Sequence, residues 1–304
     1  MKVLTSPSSF GQISSKPFDI IREAGFEIID NPYKRKLTKD EVIDLAHDCI
    51  GIVAGVELLD KDVLSKLAKL KCISRVGIGL DNIDLKYAIK KNIGVLNTPD
   101  GPTRSVAELT IGMTLSLLRR IPQADSALKK RIWEKQSGNL LHGKIIGVVG
   151  LGRIGKMVSE YFRALGNVVI GYDIIPDKKW AKNNNVEFMS LEKLLASSDI
   201  ITLHIPTKNN IPIISQKEFR MMPENSFLIN LSRGNVVDEE ALLGALSNGH
   251  LSGAAVDVFA EEPYNGPLCD LDNVVLTPHI GSYAKEGKVQ MEIDAVRNLL
   301  QFLG

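Results

Sequence analysis

The run Lys144-Ile145-Ile146-Gly147-Val148-Val149-Gly150-Leu151-Gly152-Arg153-Ile154-Gly155 constrains this chain more than any other segment. It opens as the short apolar stretch of a central parallel strand, and Ile154, Val158, Tyr161 and Phe162 then recur at helical spacing. Between strand and helix stands G-x-G-x-x-G. Gly150 permits a tight turn, Gly152 has no side chain to hold a ligand off the backbone, and Gly155 lets the helix pack close to the sheet. With Arg153 and Ile154, these glycines open a helix whose first N–H groups lack intrahelical partners. Such groups, together with the helix dipole, favour a phosphate. A second strand, 167–172, ends in Asp173, 18 positions past Gly155. A carboxylate there accepts hydrogen bonds from the ribose hydroxyls of a dinucleotide and repels a 2′-phosphate, which points to NAD over NADP.

The surrounding pattern fits this turn. Strands are expected at Lys2–Thr5, Phe26–Ile29, Ile50–Ala54, Cys72–Val76 and Gly94–Leu96, with helices near 17–24, 39–47, 60–69 and 84–91. This is α/β alternation and implies a parallel sheet covered by helices. Thr98-Pro99-Asp100-Gly101-Pro102 reads as a linker, after which Ser105, with Glu108 in S-x-x-E spacing, is expected to cap a long helix. A second series follows from Lys144, with strands at 168–172, 199–204, 226–231, 253–258 and 273–276, enough for a six-stranded doubly wound sheet, and a final helix over 285–302.

Composition narrows the functional classes. Thirty-seven basic and 36 acidic residues leave a net charge of +1, and no long basic run suggests nucleic acid or an anionic membrane as partner. No apolar stretch is long enough to span a bilayer, and the N-terminus turns polar too early for a signal peptide. Cys49, Cys72 and Cys269 are scattered and odd in number, as expected of reduced thiols in a cytoplasmic protein, and no metal site is expected.

Ligands bind doubly wound sheets beyond the carboxyl ends of the strands, so the residues that follow each strand carry the most weight. In order these are His204-Ile205-Pro206, Ser232-Arg233-Gly234, Asp257 through Pro263, and Thr277-Pro278-His279-Ile280-Gly281. Reduction of a 2-keto acid by hydride needs a fixed cation for the substrate carboxylate, a general acid, and a carboxylate to orient that acid. Arg233, His279 and Glu262 suit these roles in that order. Taken singly, Arg233 also reads as a structural ion pair and Glu262 as the start of a turn before Pro263. His204 and Pro206 fit the wall of a cofactor pocket. His47, His142 and His250 read as satisfied polar residues.

These segments resemble the D-isomer-specific 2-hydroxyacid dehydrogenase family, and particularly its phosphoglycerate dehydrogenase-like branch. The resemblance rests on Arg75-Val76-Gly77-Ile78-Gly79-Leu80-Asp81-Asn82-Ile83-Asp84, Asn97-Thr98-Pro99, Ser105-Val106-Ala107-Glu108-Leu109, the glycine turn, Asn230-Leu231-Ser232-Arg233-Gly234, Val236-Val237-Asp238-Glu239, Asp257-Val258-Phe259 with Glu262-Pro263, and Pro278-His279-Ile280-Gly281. It implies Arg233, Glu262 and His279 as the catalytic set, Asp257 beside the nicotinamide, and Val76-Gly77-Ile78-Gly79 as a loop that holds the substrate carboxylate by backbone N–H groups. It also implies two lobes, a substrate lobe of 1–98 with 285–304 and a cofactor lobe of 99–284, hinged over a cleft, and a homodimer formed near the long helix. The implied activity is hydride transfer between NAD and a small 2-hydroxy or 2-keto acid. The remaining alternatives are a phosphonate or imine substrate, or an NAD(H)-sensing protein without turnover. Two departures stand out: Ala54 where that branch usually carries a phosphate-binding arginine, and Tyr283-Ala284 after the histidine motif.

Overall fold

The structure, a computed structural model, describes residues 1–207 and 211–304. The chain forms two compact units, one of Met1–Pro102 with Ser282–Gly304 and one of Thr103–Gly281.

In the first unit, strands and helices alternate: β1 (Lys2–Thr5), α1 (Lys16–Glu23), β2 (Glu27–Asp30), α2 (Lys39–Ala46), β3 (Cys49–Ala54), α3 (Lys61–Lys66), β4 (Cys72–Arg75), α4 (Leu85–Lys90) and β5 (Gly94–Leu96). The strands pair in parallel in the order β2-β1-β3-β4-β5. The helices begin on local signals. Thr38 caps α2 in a full capping box with Glu41, and Asp60 and Asp84 cap α3 and α4 through their carboxylates. The third helix is shorter than its pattern suggests. Leu4, Ile52 and Ile73 are fully buried against α2, α3 and α4. On the other face, Val3 and Val53 pack with Ile21 of α1 and with Ala295, Val296 and Leu299 of the last helix, α12 (Lys285–Leu303). Each such valine, leucine or isoleucine side chain contributes about 1.5–3 kcal/mol when fully buried.

The second unit contains most of α5 (Gly101–Leu118), then α6 (Ile121–Lys129), β6 (Ile145–Val149), α7 (Arg153–Ala164), β7 (Val168–Tyr172), α8 (Lys178–Asn183), β8 (Glu187–Phe188), α9 (Leu191–Ser197), β9 (Ile200–Leu203), α10 (Gln216–Phe219), β10 (Ser226–Asn230), α11 (Glu239–Ser247), β11 (Leu251–Val256) and β12 (Val274–Leu276). Its sheet is parallel, ordered β12-β11-β10-β9-β6-β7-β8. Seven strands replace the six expected, because the two-residue β8 is too short to leave a periodic signal. Phe162 of α7 is fully buried with Ile146, Val148 and Ile200 on one face, and Leu194 and Leu195 of α9 fill the other with Val149 and Ile201.

The start of α5 corrects the sequence reading. The helix begins at Gly101, so Ser105 lies inside it rather than capping it. Pro102 is tolerated because first-turn positions need no backbone N–H for an intrahelical bond.

Candidate active site

At the carboxyl end of β6 the chain turns through Gly150, whose φ of 94° lies where a side chain is strained. A Cβ on Gly155 would lie 1.9 Å from the Gly150 carbonyl oxygen, so the first turn of α7 can close on the loop only with glycine there. Gly152 is the N-cap of α7 and offers no side-chain cap, and a Cβ built on it would meet no protein atom within 4 Å. The space beside this helix start is therefore open. Beside them, Asp173 accepts hydrogen bonds from the N–H of Leu151 at 2.7 Å and of Ile175 at 2.8 Å. This fixes the carboxylate against the glycine turn and leaves further lone pairs for a diol. The arrangement fits a dinucleotide: phosphates at α7, ribose at Asp173.

The turn sits where the sheet order reverses, between β6 and β9. His204, at the end of β9, donates its backbone N–H to Val149 at 2.8 Å, and its carbonyl approaches the Cβ position of Gly150. Its Nε2 pairs with Thr202 Oγ1 at 2.9 Å, while the buried Nδ1 has no partner among the described residues. Burial pushes this imidazole down to about 3. A neutral ring of this kind can line a pocket but cannot serve as an acid near neutral pH. Pro206 follows on the exposed rim.

At the end of β10, the Asn230 side chain shapes the next turn. Its Oδ1 accepts from Ser232 N–H and Oγ at 3.1 and 2.8 Å, and its Nδ2 donates to the Arg233 carbonyl at 3.0 Å. Arg233 is thereby held in extended backbone, with Nη1 on the Ser232 carbonyl at 2.8 Å. At the end of β11, Asp257 is fully buried. It accepts from Thr277 Oγ1 at 2.5 Å, Ile280 N–H at 2.8 Å and Gly281 N–H at 2.8 Å. Burial raises its carboxyl above the usual range, opposed by these bonds. The turn it grips contains His279, whose φ of 54° is left-handed. His279 Nδ1 lies 2.8 Å from Glu262 Oε2, and Glu262 Oε1 accepts from Phe259 N–H at 3.1 Å. Glu239, at the start of α11, accepts from Ala260 N–H at 2.7 Å and braces the same loop.

The structure thus brings Gly150, Gly152, Arg153, Ile154, Gly155, Asp173, His204, Pro206, Arg233, Asp257, Glu262 and His279 to the carboxyl edge of one sheet. Asn230, Thr277 and Glu239 stand in the motifs and strand ends named above, but the sequence assigns them no role. Asn230 shapes its own turn, Thr277 reaches the Asp257 carboxylate 20 positions away, and Glu239 reaches the Ala260 N–H 21 positions away. His47, His142 and His250 each contact a backbone carbonyl elsewhere. A groove of about 880 Å³ along α10 and α11 includes none of the set. Among the described residues no cluster of His, Cys, Asp and Glu could hold a metal.

The loop Val76–Gly79 lies in the first unit, after β4, and only half of it offers donors. Val76 N–H is bound to the Ala54 carbonyl at 2.9 Å, because strand pairing runs one residue past β4, and Gly77 N–H is bound to Thr98 Oγ1 at 2.7 Å. The N–H groups of Ile78 and Gly79 have no partner among the described residues. Ala54 is fully buried in the apolar core, so position 54 itself supplies no cation at the end of β3.

A doubly wound sheet with a glycine turn at its switch point and an acid after the second strand defines a dinucleotide-binding α/β protein. More narrowly, the chain belongs to the D-isomer specific 2-hydroxyacid dehydrogenase family: residues 111–281 match the model of its NAD binding domain. It is 42% identical over 258 residues to the D-3-phosphoglycerate dehydrogenase of Methanocaldococcus jannaschii, an alignment covering 83% of this chain and 49% of that protein. The chain thus spans about half the length of the curated relatives it matches. The crystal structure of the TT0316 protein from Thermus thermophilus superposes with a TM-score of 0.91 at 33% identity, covering 100% of this chain and 97% of that one. D-Lactate dehydrogenase from Aquifex aeolicus, complexed with NAD and lactic acid, gives a TM-score of 0.85 at 29% identity, covering 100% and 95%. NAD is the cofactor that the domain and its geometry support.

Proposed function

We propose that this chain is an NAD-dependent oxidoreductase of small 2-hydroxy and 2-keto acids. The observation that carries the reading is the 2.8 Å contact between His279 Nδ1 and Glu262 Oε2 at the same sheet edge as Arg233 and the glycine turn. The nicotinamide supplies the hydride in reduction and takes it in oxidation. Glu262 holds Nδ1 and so fixes the tautomer, leaving Nε2 to pass a proton to the carbonyl oxygen of the substrate as its alkoxide develops. Arg233 offers a planar fork of donors to the substrate carboxylate. In the other unit, the N–H groups of Ile78 and Gly79 support a substrate-binding role for Met1–Pro102 with Ser282–Gly304.

The names of the curated relatives favour 3-phosphoglycerate as substrate, whereas the buried Ala54 argues against a phosphate contact. We propose that glyoxylate, pyruvate or hydroxypyruvate is reduced at least as well as 3-phosphohydroxypyruvate. We further propose a cytoplasmic homodimer. Ile121, Leu128, Ile132, Trp133 and Leu140 expose large apolar surface on α6 and the segment after it, which supports an interface there. Sedimentation tests the dimer.

NADH oxidation measured with a panel of 2-keto acids tests the activity. Turnover with at least one is expected. Tight NADH binding without any turnover would instead make this a dinucleotide-sensing protein.

A further inference from the structure

The first sheet has its own switch point, and the protein fills it with one of its own carboxylates. After β1 the chain enters α1, which packs with α12 on the Val3 and Val53 face; after β3 it enters α3, which packs on the Leu4 and Ile52 face. β1 and β3 are neighbours whose helices leave toward opposite faces, so their carboxyl ends form the switch point, the position at which open α/β sheets bind ligands.

Glu57 occupies this position. Its residue surface is 1% exposed, and Oε1 and Oε2 accept from Gly55 N–H at 3.0 and 3.1 Å. Oε1 also meets the hydroxyl of Ser6, which itself lies 3.1 Å from Gly55 N. Donors from the end of β1 and the end of β3 thus converge on one carboxylate, as they would on a bound anion. Both donors are neutral groups.

The site adjoins the substrate loop. Ala54 pairs with Arg75 in register, and Val76 N–H donates to the Ala54 carbonyl at 2.9 Å, so Gly55 lies one strand spacing, about 4.8 Å, from the start of Val76–Gly79. Asn82 ties the two together, its Nδ2 donating to the carbonyls of Gly55 at 3.3 Å and Glu57 at 2.6 Å.

We infer that Glu57 is a built-in anion that sets substrate specificity: it takes the donors a second anionic group would need and repels that group by its charge. The inference rests on the 2-keto acid reading above and explains how the loss of an arginine at position 54 is reinforced. The charge on the substrate's own carboxylate is common to every 2-keto acid and cancels in a comparison. Only a further anionic group, such as a phosphate, is selected against.

The test compares kcat/KM for hydroxypyruvate and for 3-phosphohydroxypyruvate at low ionic strength. Glu57→Gln keeps the shape and removes the charge, and should lower the preference for hydroxypyruvate by roughly tenfold or more, the scale of one like-charge contact. A well-folded Glu57→Gln protein with the wild-type ratio overturns the inference. A second arm needs no turnover. Glu57→Ala empties the carboxylate position beside the Ser6 hydroxyl and Gly55 N–H, which then keep only each other and the Val53 carbonyl, so formate should raise its Tm and leave that of the wild type unchanged. Equal responses of the two proteins to formate overturn the anion site. If the wild type reduces neither acid, the panel of 2-keto acids decides the proposed activity, and the formate arm alone decides whether Glu57 fills an anion site.

Discussion

Asp257 holds the backbone of Gly281 through Oδ2 at 2.8 Å, two residues beyond His279 and across 24 positions of sequence. A second bond, from Ile280 N–H to Oδ1, grips the same turn. Left-handed backbone at His279 costs a non-glycine residue about 1–2 kcal/mol, and these two bonds into a buried carboxylate offset it. Asp257 is therefore a positioning residue for the imidazole. Asp257→Asn keeps the volume but replaces one acceptor by a donor facing an N–H group. We expect a loss of about 1–3 kcal/mol in stability by urea unfolding, and a kcat roughly ten- to a hundredfold lower, with NADH affinity near that of the wild type. Unchanged kcat would show that the turn holds itself.

His279→Ala should lower kcat by roughly 10²–10⁴ while leaving cofactor binding in place, since the lost group acts on the substrate oxygen. Glu262→Gln removes the negative charge 2.8 Å from the ring and with it the partner of the imidazolium. The kcat of Glu262→Gln should therefore fall roughly tenfold or more, because the ring loses the contact that orients it. Steady-state kinetics of wild type and Glu262→Gln check this, and equal kcat values would remove Glu262 from the acid's environment.

The second sheet was legible because its signals are local. Six strands, the glycine turn and the acid at Asp173 each leave a mark in a short window. The site was legible for a related reason: strand ends in a doubly wound sheet face one edge, so Arg233, Glu262 and His279 could be grouped before their contacts were known. What was hidden depends on long-range bonds. Nothing near Ser105 shows that α5 begins four residues earlier, because Gly101 and Pro102 resemble a linker until the first turn is seen to accept them. Val76 and Gly77 looked like free donors until pairing to Ala54 and Thr98 engaged them. Glu57 carried no motif, and its meaning comes from Ser6, 51 positions away.

Asp173 should set the choice of cofactor. Its carboxylate is fixed beside the uncapped start of α7 by the N–H groups of Leu151 and Ile175. Asp173→Asn retains an acceptor for one of them and removes the charge that opposes a 2′-phosphate. The NADP-to-NAD ratio of kcat/KM should rise about tenfold or more, which needs only ~1.4 kcal/mol of differential binding. An unchanged ratio would place the ribose elsewhere.

His204 links stability to pH. Its ring is pushed from the ordinary 6.5 down to about 3 by burial. Between those values the unfolded chain binds a proton that the folded chain refuses. The neutral ring therefore supports the fold fully above about pH 6.5, and that support is lost as pH falls toward 3. His204→Gln keeps a polar group for Thr202 and does not titrate. Unfolding free energies from urea titrations at pH 7 and pH 4 should show the variant gaining on the wild type at the lower pH, by on the order of a few kcal/mol. A wild-type-to-variant difference that stays constant between the two pH values would mean that the ring takes up its proton without cost, and that the space at the end of β9 is open to water.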